Sequence, residues 1–156
     1  MENQWNLIES LQEKEYMIID IFPKQVHKDI YFEVEKFYMK KYLKTFAKKT
    51  SRIIMQIMCY FDLEIYLTEF PKKKKNHKYA SLIDMDLASL KLSKIDKIVH
   101  FVICDDISSL AIIAPDCPFL ISIDGGFQVT LYNLSGEHID LIKKIVEKEN
   151  LYFRKP

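Results

Sequence analysis

The sequence predicts an α+β protein. One domain over residues 1–156 carries a mainly antiparallel sheet of about five or six strands, packed against a long central helix and a C-terminal helix. Three observations lead there. Helical periodicity governs the early part of the chain, short β-prone apolar runs crowd the middle, and an amphipathic stretch closes it. With 156 residues, 49% hydrophobic and 13% aromatic, the chain can bury a sizeable core without disulfide or metal staples. Three Gly and five Pro leave little room for linkers.

Glu2 to Lys14 reads as a short amphipathic helix with Trp5, Ile8 and Leu11 on one stripe. "YMIIDIF", Tyr16 to Phe22, is apolar and β-prone, and Pro23 stops it. From Tyr31 to about Lys49, Phe32, Val34, Phe37, Tyr38, Tyr42, Leu43 and Phe46 recur at three- and four-residue steps. That is the apolar stripe of one long helix, with Lys40, Lys41, Lys44 and Lys48 on its wet side. "RIIMQIMCY", Arg52 to Tyr60, continues that helix or starts a second one.

"LEIYL", Leu63 to Leu67, reads as a strand, and "FPKKKKNHK" after it as an exposed loop. "DMDLASLKLSKID" fits either a short helix or two loops around a strand. Four strand candidates follow: "IVHFVIC" (Ile98 to Cys104), "SLAIIA" (Ser109 to Ala114), "FLISI" (Phe119 to Ile123) and "FQVTLYN" (Phe127 to Asn133). Ser135 is a natural N-cap for the last helix, with Ile139, Ile142, Ile145 and Val146 on one face. "LYFRK" after Asn150 can add a final edge strand.

Net charge is +1, but residues 1–78 carry 15 Lys/Arg against 11 Asp/Glu, and residues 79–156 carry 8 against 11. So mild a split does not mark a nucleic-acid binder. It predicts one basic and one acidic face. The start lacks a basic region followed by an apolar run, and no apolar segment approaches the ~20 residues of a membrane span. The expectation is a cytoplasmic protein without a membrane partner. Cys59, Cys104 and Cys117 show neither zinc spacing nor a CxxC pair, and read as inert core thiols in a reducing compartment.

All three glycines lie between Ile121 and Val146, two of them in Asp124-Gly125-Gly126. A phosphate cradle would need a helix to open directly after those glycines. Strand-like runs stand on both sides instead, so the reading is a hairpin turn whose glycines supply positive φ. His100, Asp105 and Asp106 could bind a metal or work as acid and base, which supports an alternative reading as a small hydrolase or nuclease. Against this, Asp-Asp-Ile-Ser-Ser simply makes the turn into the next strand, and no second His or Glu lies at a helical i, i+4 spacing to complete a set.

Cys117, between prolines, would need a base nearby to act as a nucleophile. His138, just inside the last helix, reads as solvent-facing or capping. Lys72 to Lys75, with Lys40, Lys41, Lys44 and Lys48, would have to share one face to hold nucleic acid; a solvated loop that discourages edge pairing is the simpler account. No motif for a cofactor, ATP, dinucleotide or metal is present, and none is expected to bind. Between Asp84 and Asp124 there are seven Asp and three Lys. A surface of that charge steers basic partners, so Asp84, Asp86, Asp105 and Asp106 are the candidate partner-binding residues.

At "IIDIFPKQV" (Ile18 to Val26), "YFEVEKFYM" (Tyr31 to Met39), "CYFDLEIYL" (Cys59 to Leu67) and the stretch from Phe127 to Pro156, the chain resembles small uncharacterised cytosolic proteins of Gram-positive bacteria. These are similar to the immunity proteins that accompany secreted polymorphic toxins. The resemblance implies a binding role without catalytic residues, and a toxin domain as the protein partner. Self-association is compatible with it.

Overall fold

In the computed structural model, which describes residues 2–71 and 74–156, six strands form one antiparallel sheet in the order β2-β3-β4-β5-β1-β6. They are β1 (Tyr16–Asp20), β2 (Glu64–Leu67), β3 (Leu110–Ala114), β4 (Phe119–Ile123), β5 (Val129–Tyr132) and β6 (Tyr152–Arg154). The α-helices are α1 (Glu2–Gln12), α2 (Tyr31–Lys41), α3 (Leu43–Ile57), α4 (Leu92–Asp105) and α5 (Gly136–Lys148). The α+β class and the antiparallel sheet are as the sequence predicts, and β6 is the edge strand expected of "LYFRK".

Register decides what each face buries. Tyr66 pairs with Ala111, Ile113 with Leu120, and Leu120 with Tyr132, so these side chains project to the same side. On that side α1 packs Ile8 and Leu11, with Trp5 tilted against Tyr66. The alternate positions, among them Ile65, Ile112, Ile121 and Leu131, face a larger core shared with α3, α4 and α5. β3 and β4 are buried along their whole length.

The run Ile98 to Cys104 is a correction. It is not a strand but the second half of α4, whose buried stripe is Ile95, Ile98, Val99, Val102 and Ile103. A short, continuous apolar run cannot by itself distinguish a buried strand from a buried helix, and here the three- and four-residue spacing from Ile95 prevails over β-branched propensity. α4 lies antiparallel to α3: Ser51 Oγ donates to Asp96 Oδ1 at 2.6 Å near one end, and the Lys44 charge acts on Cys104 near the other.

The long central helix is also corrected. It divides at Tyr42, with φ −124° and ψ −14°, into α2 and α3. The bend contains neither Pro nor Gly; it falls where burial begins. From Leu43 onward α3 inserts Leu43, Phe46, Ala47, Ile53, Ile54 and Ile57 into the core, whereas α2 buries none of its residues. Phe32 and Phe37, expected on the core stripe, are exposed.

Two smaller differences concern the surface. In the expected loop after β2, Lys74–Leu82 winds into a 3-10 helix, and Lys72 and Lys73 lie outside the described residues. The free edge of β2 is shielded, because Leu87 N–H donates to Ile65 O at 2.8 Å and Ile65 N–H to Asp86 Oδ1 at 3.0 Å. Ser135 takes the N-cap position of α5 in an extended conformation, without a side-chain capping bond.

The contrast between α3 and α2 can be measured. Phe46 is fully buried, edge-on to Phe127 at 5.1 Å. Phe46→Ala should lower unfolding free energy by about 3–5 kcal/mol, and Phe32→Ala should change it by less than about 0.5 kcal/mol. Urea titration reads both, and similar losses at the two positions would contradict this division of the helix.

Candidate functional site

α2 forms one wall of a cleft of about 810 Å³ at the end of the sheet. Tyr31, Val34, Glu35 and Tyr38 face it, at the spacing that puts residues on one side of a helix. Opposite them lie the end of β1 (Ile18 to Phe22), the start of β5 and Arg154 of β6. The far end is closed by Cys104, Asp106 and the β4–β5 connection, Asp124 to Gln128.

That connection answers the question raised by the glycines. A strand follows it, as a turn requires, and Asp124 N–H donates to Gln128 O at 2.9 Å across its base. Gly126 has φ +77°, and its N–H donates at 2.9 Å to Ile103 O, one of the last carbonyls of α4. Asp106, the C-cap of α4, is itself left-handed at φ 49°, a conformation that Asp tolerates better than most residues. A Cβ on Gly125 would stand 2.7 Å from Asp106 Oδ1. The loop therefore holds the end of α4 and forms part of the cleft wall.

The cleft is acidic. Five carboxylates line it against one guanidinium, Arg154, which Asp20 already engages. Glu35, Asp106 and Asp124 have no ion-pair partner among the described residues. Tyr31 registers this field: burial first, then the charge and hydrogen bond of Glu35 and the charge of Asp20, raise its phenol above the usual range. Aromatic rings continue from the cleft to the surface, with Phe22 edge-on to Tyr38 at 5.0 Å and Tyr38 edge-on to Phe37 at 5.4 Å. Phe32 and Phe37 are 79% and 58% exposed, and Ile30 51%.

The residues singled out from sequence are scattered. Asp106 lines the cleft, and Asp105 precedes it at the end of α4. Asp84 and Asp86 lie before α4, whose 14 residues span about 21 Å. Asp86 Oδ1 accepts from Ile65 N–H and Ala88 N–H, which gives it a structural task. His100 turns toward Asp96, with Nε2 3.7 Å from Oδ1, and does not line the cleft. No group of three His, Cys, Asp or Glu able to hold a metal occurs among the described residues. Lys40 and Lys41 end α2, while Lys44 and Lys48 belong to α3 beyond the bend. His138 is half-buried, edge-on to Phe61 at 5.0 Å.

The cysteines also differ from expectation. Cys59 is exposed, and Cys104 and Cys117 are half-buried; all three are free. Burial, followed by the neighbouring charges of Asp105 and Asp116, raises the thiols of Cys104 and Cys117 above the ordinary range.

Glu35, Tyr31, Tyr38, Asp20 and Arg154 carry no motif that marks them as site residues in the sequence. The signal for α2 was present, since Tyr31, Val34, Glu35 and Tyr38 share a face, but the same periodicity describes a core stripe. Compared with known protein families, curated proteins and solved structures, the chain matches none.

Three tests follow from this geometry. Gly126→Ala should cost on the order of 1 kcal/mol or more. Gly125→Ala should also destabilise, and its cost should shrink in an Asp106→Gly background; additive losses in that double-mutant cycle would refute the contact. At neutral pH, iodoacetamide should label Cys104 and Cys117 in the folded protein more slowly than in the urea-unfolded chain. Faster labelling of folded Cys117 would reveal an activated thiol.

Proposed function

We propose that this protein is a non-enzymatic protein-binding module, of the immunity-protein kind, which neutralises a cognate bacterial toxin. The observation that carries the reading is the set of large apolar side chains that α2 leaves exposed on either side of its cleft-facing residues. Ile30, Phe32 and Phe37 are exposed on or beside a helix with no fully buried residue, so core packing does not account for their bulk. Large aromatic side chains on a surface concentrate where another protein is bound, because they bring much apolar area with few rotatable bonds. Connected rings reaching from Phe37 through Tyr38 to Phe22 add a rigid anchor of that type.

The acidic surface contributes charge rather than area. Asp105 and Asp106 stand at the end of α4, and Asp106 adjoins the cleft beside α2. A toxin with a basic surface would be steered there.

The experiment is co-expression with a toxin domain encoded beside this protein, combined with a binding measurement on the purified pair. Wild type should protect the cell and bind. Phe32→Ser/Phe37→Ser should keep its melting temperature yet lose affinity by about tenfold or more, as interface aromatics do. Neither binding nor protection by the wild type would overturn the proposal.

A further inference from the structure

We infer that the cleft beneath α2 receives an arginine or lysine side chain from a basic segment of the protein partner, while the exposed aromatics of α2 cover the apolar residues around it. The inference rests on the protein-binding reading and names the chemistry of the segment bound. Glu35, Asp106 and Asp124 line one cleft and have no ion-pair cation among the described residues, and the cleft's one guanidinium is held by Asp20. A phosphate or other anion entering there would be repelled. A neutral apolar group would strip water from carboxylates and give nothing in return.

A cationic side chain satisfies both conditions. It pairs with the carboxylates and lies against the faces of Tyr31 and Tyr38, where a cation is favoured by the ring quadrupole. Arginine suits such a place well, since its planar head can stack on a ring while its donors reach carboxylates. Two features favour a protein segment over a small free cation. The cleft volume, about 810 Å³, exceeds what one ammonium group fills, and its aromatic wall continues outward to Phe37 on the exposed surface. Residues flanking the inserted cation would cover that rim.

The test uses the full chain and a short fluorescein-labelled peptide in which arginine alternates with leucine, with binding read by anisotropy. A second peptide replaces each arginine by citrulline, which keeps the shape and removes the charge. The arginine peptide should bind wild type, and the citrulline peptide about tenfold more weakly or less. Glu35→Gln/Asp106→Asn/Asp124→Asn should weaken the arginine peptide by a similar factor and flatten its salt dependence. Asn is tolerated in the left-handed conformation of Asp106, so this variant should fold, as circular dichroism and melting will confirm. Glu137→Gln/Asp140→Asn, on exposed residues of α5, should leave binding unchanged.

Three results would overturn the inference: no binding of the arginine peptide, equal binding of the two peptides, or unchanged affinity in the triple variant. Association with phosphatidylserine vesicles that is lost in Phe32→Ser/Phe37→Ser would assign these exposed aromatics to a membrane and overturn it as well. Co-expression with the toxin separates this inference from the reading beneath it. If the triple-carboxylate variant protects fully while the double-phenylalanine variant does not, the cleft assignment falls and the protein-binding reading stands. If wild type neither binds nor protects, that reading falls.

Discussion

The burial of β3 and β4 on both faces is the constraint around which the rest of the structure is arranged. Leu110–Ala114 and Phe119–Ile123 are inaccessible along their length, so apolar cover is required above and below. α1 provides it on one side through Ile8 and Leu11, and α3, α4 and α5 on the other. Antiparallel pairing transmits the demand outward, because a one-residue slip would turn each strand's apolar set to the wrong face. The outer strands are short or shielded: β6 has three residues, and the edge of β2 is capped by Asp86 and Leu87.

α2 is outside this arrangement, and the cleft is a consequence. Where α3 turns inward at Leu43, the preceding helix is left beside the ends of β1 and β6 with no core to join. The β4–β5 connection closes the opposite end through the Gly126–Ile103 hydrogen bond. Thus a hollow with carboxylates and tyrosines on its walls is framed by rigid elements on three sides. The helix on the fourth side contributes little to the core. Sites that bind are commonly supported in this way, on parts of a fold that the core does not need.

The same local chemistry serves structure and site at once. Asp106 ends α4 in a left-handed conformation, meets Gly125 where no side chain fits, and presents a carboxylate to the cleft. Asp86, equally acidic in sequence, accepts two backbone N–H groups at the sheet edge. Their difference lies in which backbone donors come within reach, and that is set by the packing of the loops before and after α4.

The amino-acid sequence by itself determined the class of fold, the Trp5-Ile8-Leu11 stripe, the segments that form the six strands, and the turn at Asp124 to Gly126. In each case period and turn chemistry agree locally: alternation for β5, three- and four-residue steps for α1, a Gly at φ +77° between strands. Tertiary structure alone decided that Ile98 to Cys104 is helical, because a continuous apolar run satisfies either backbone when both faces or a whole stripe are buried. It also decided that Phe46 is core and Phe32 surface, although both lie on one periodic pattern. Periodicity states which residues share a side of a helix; whether anything packs against that side depends on where the chain bends. The cleft joins residues from Asp20 to Arg154, and no local pattern encodes so distant a convergence.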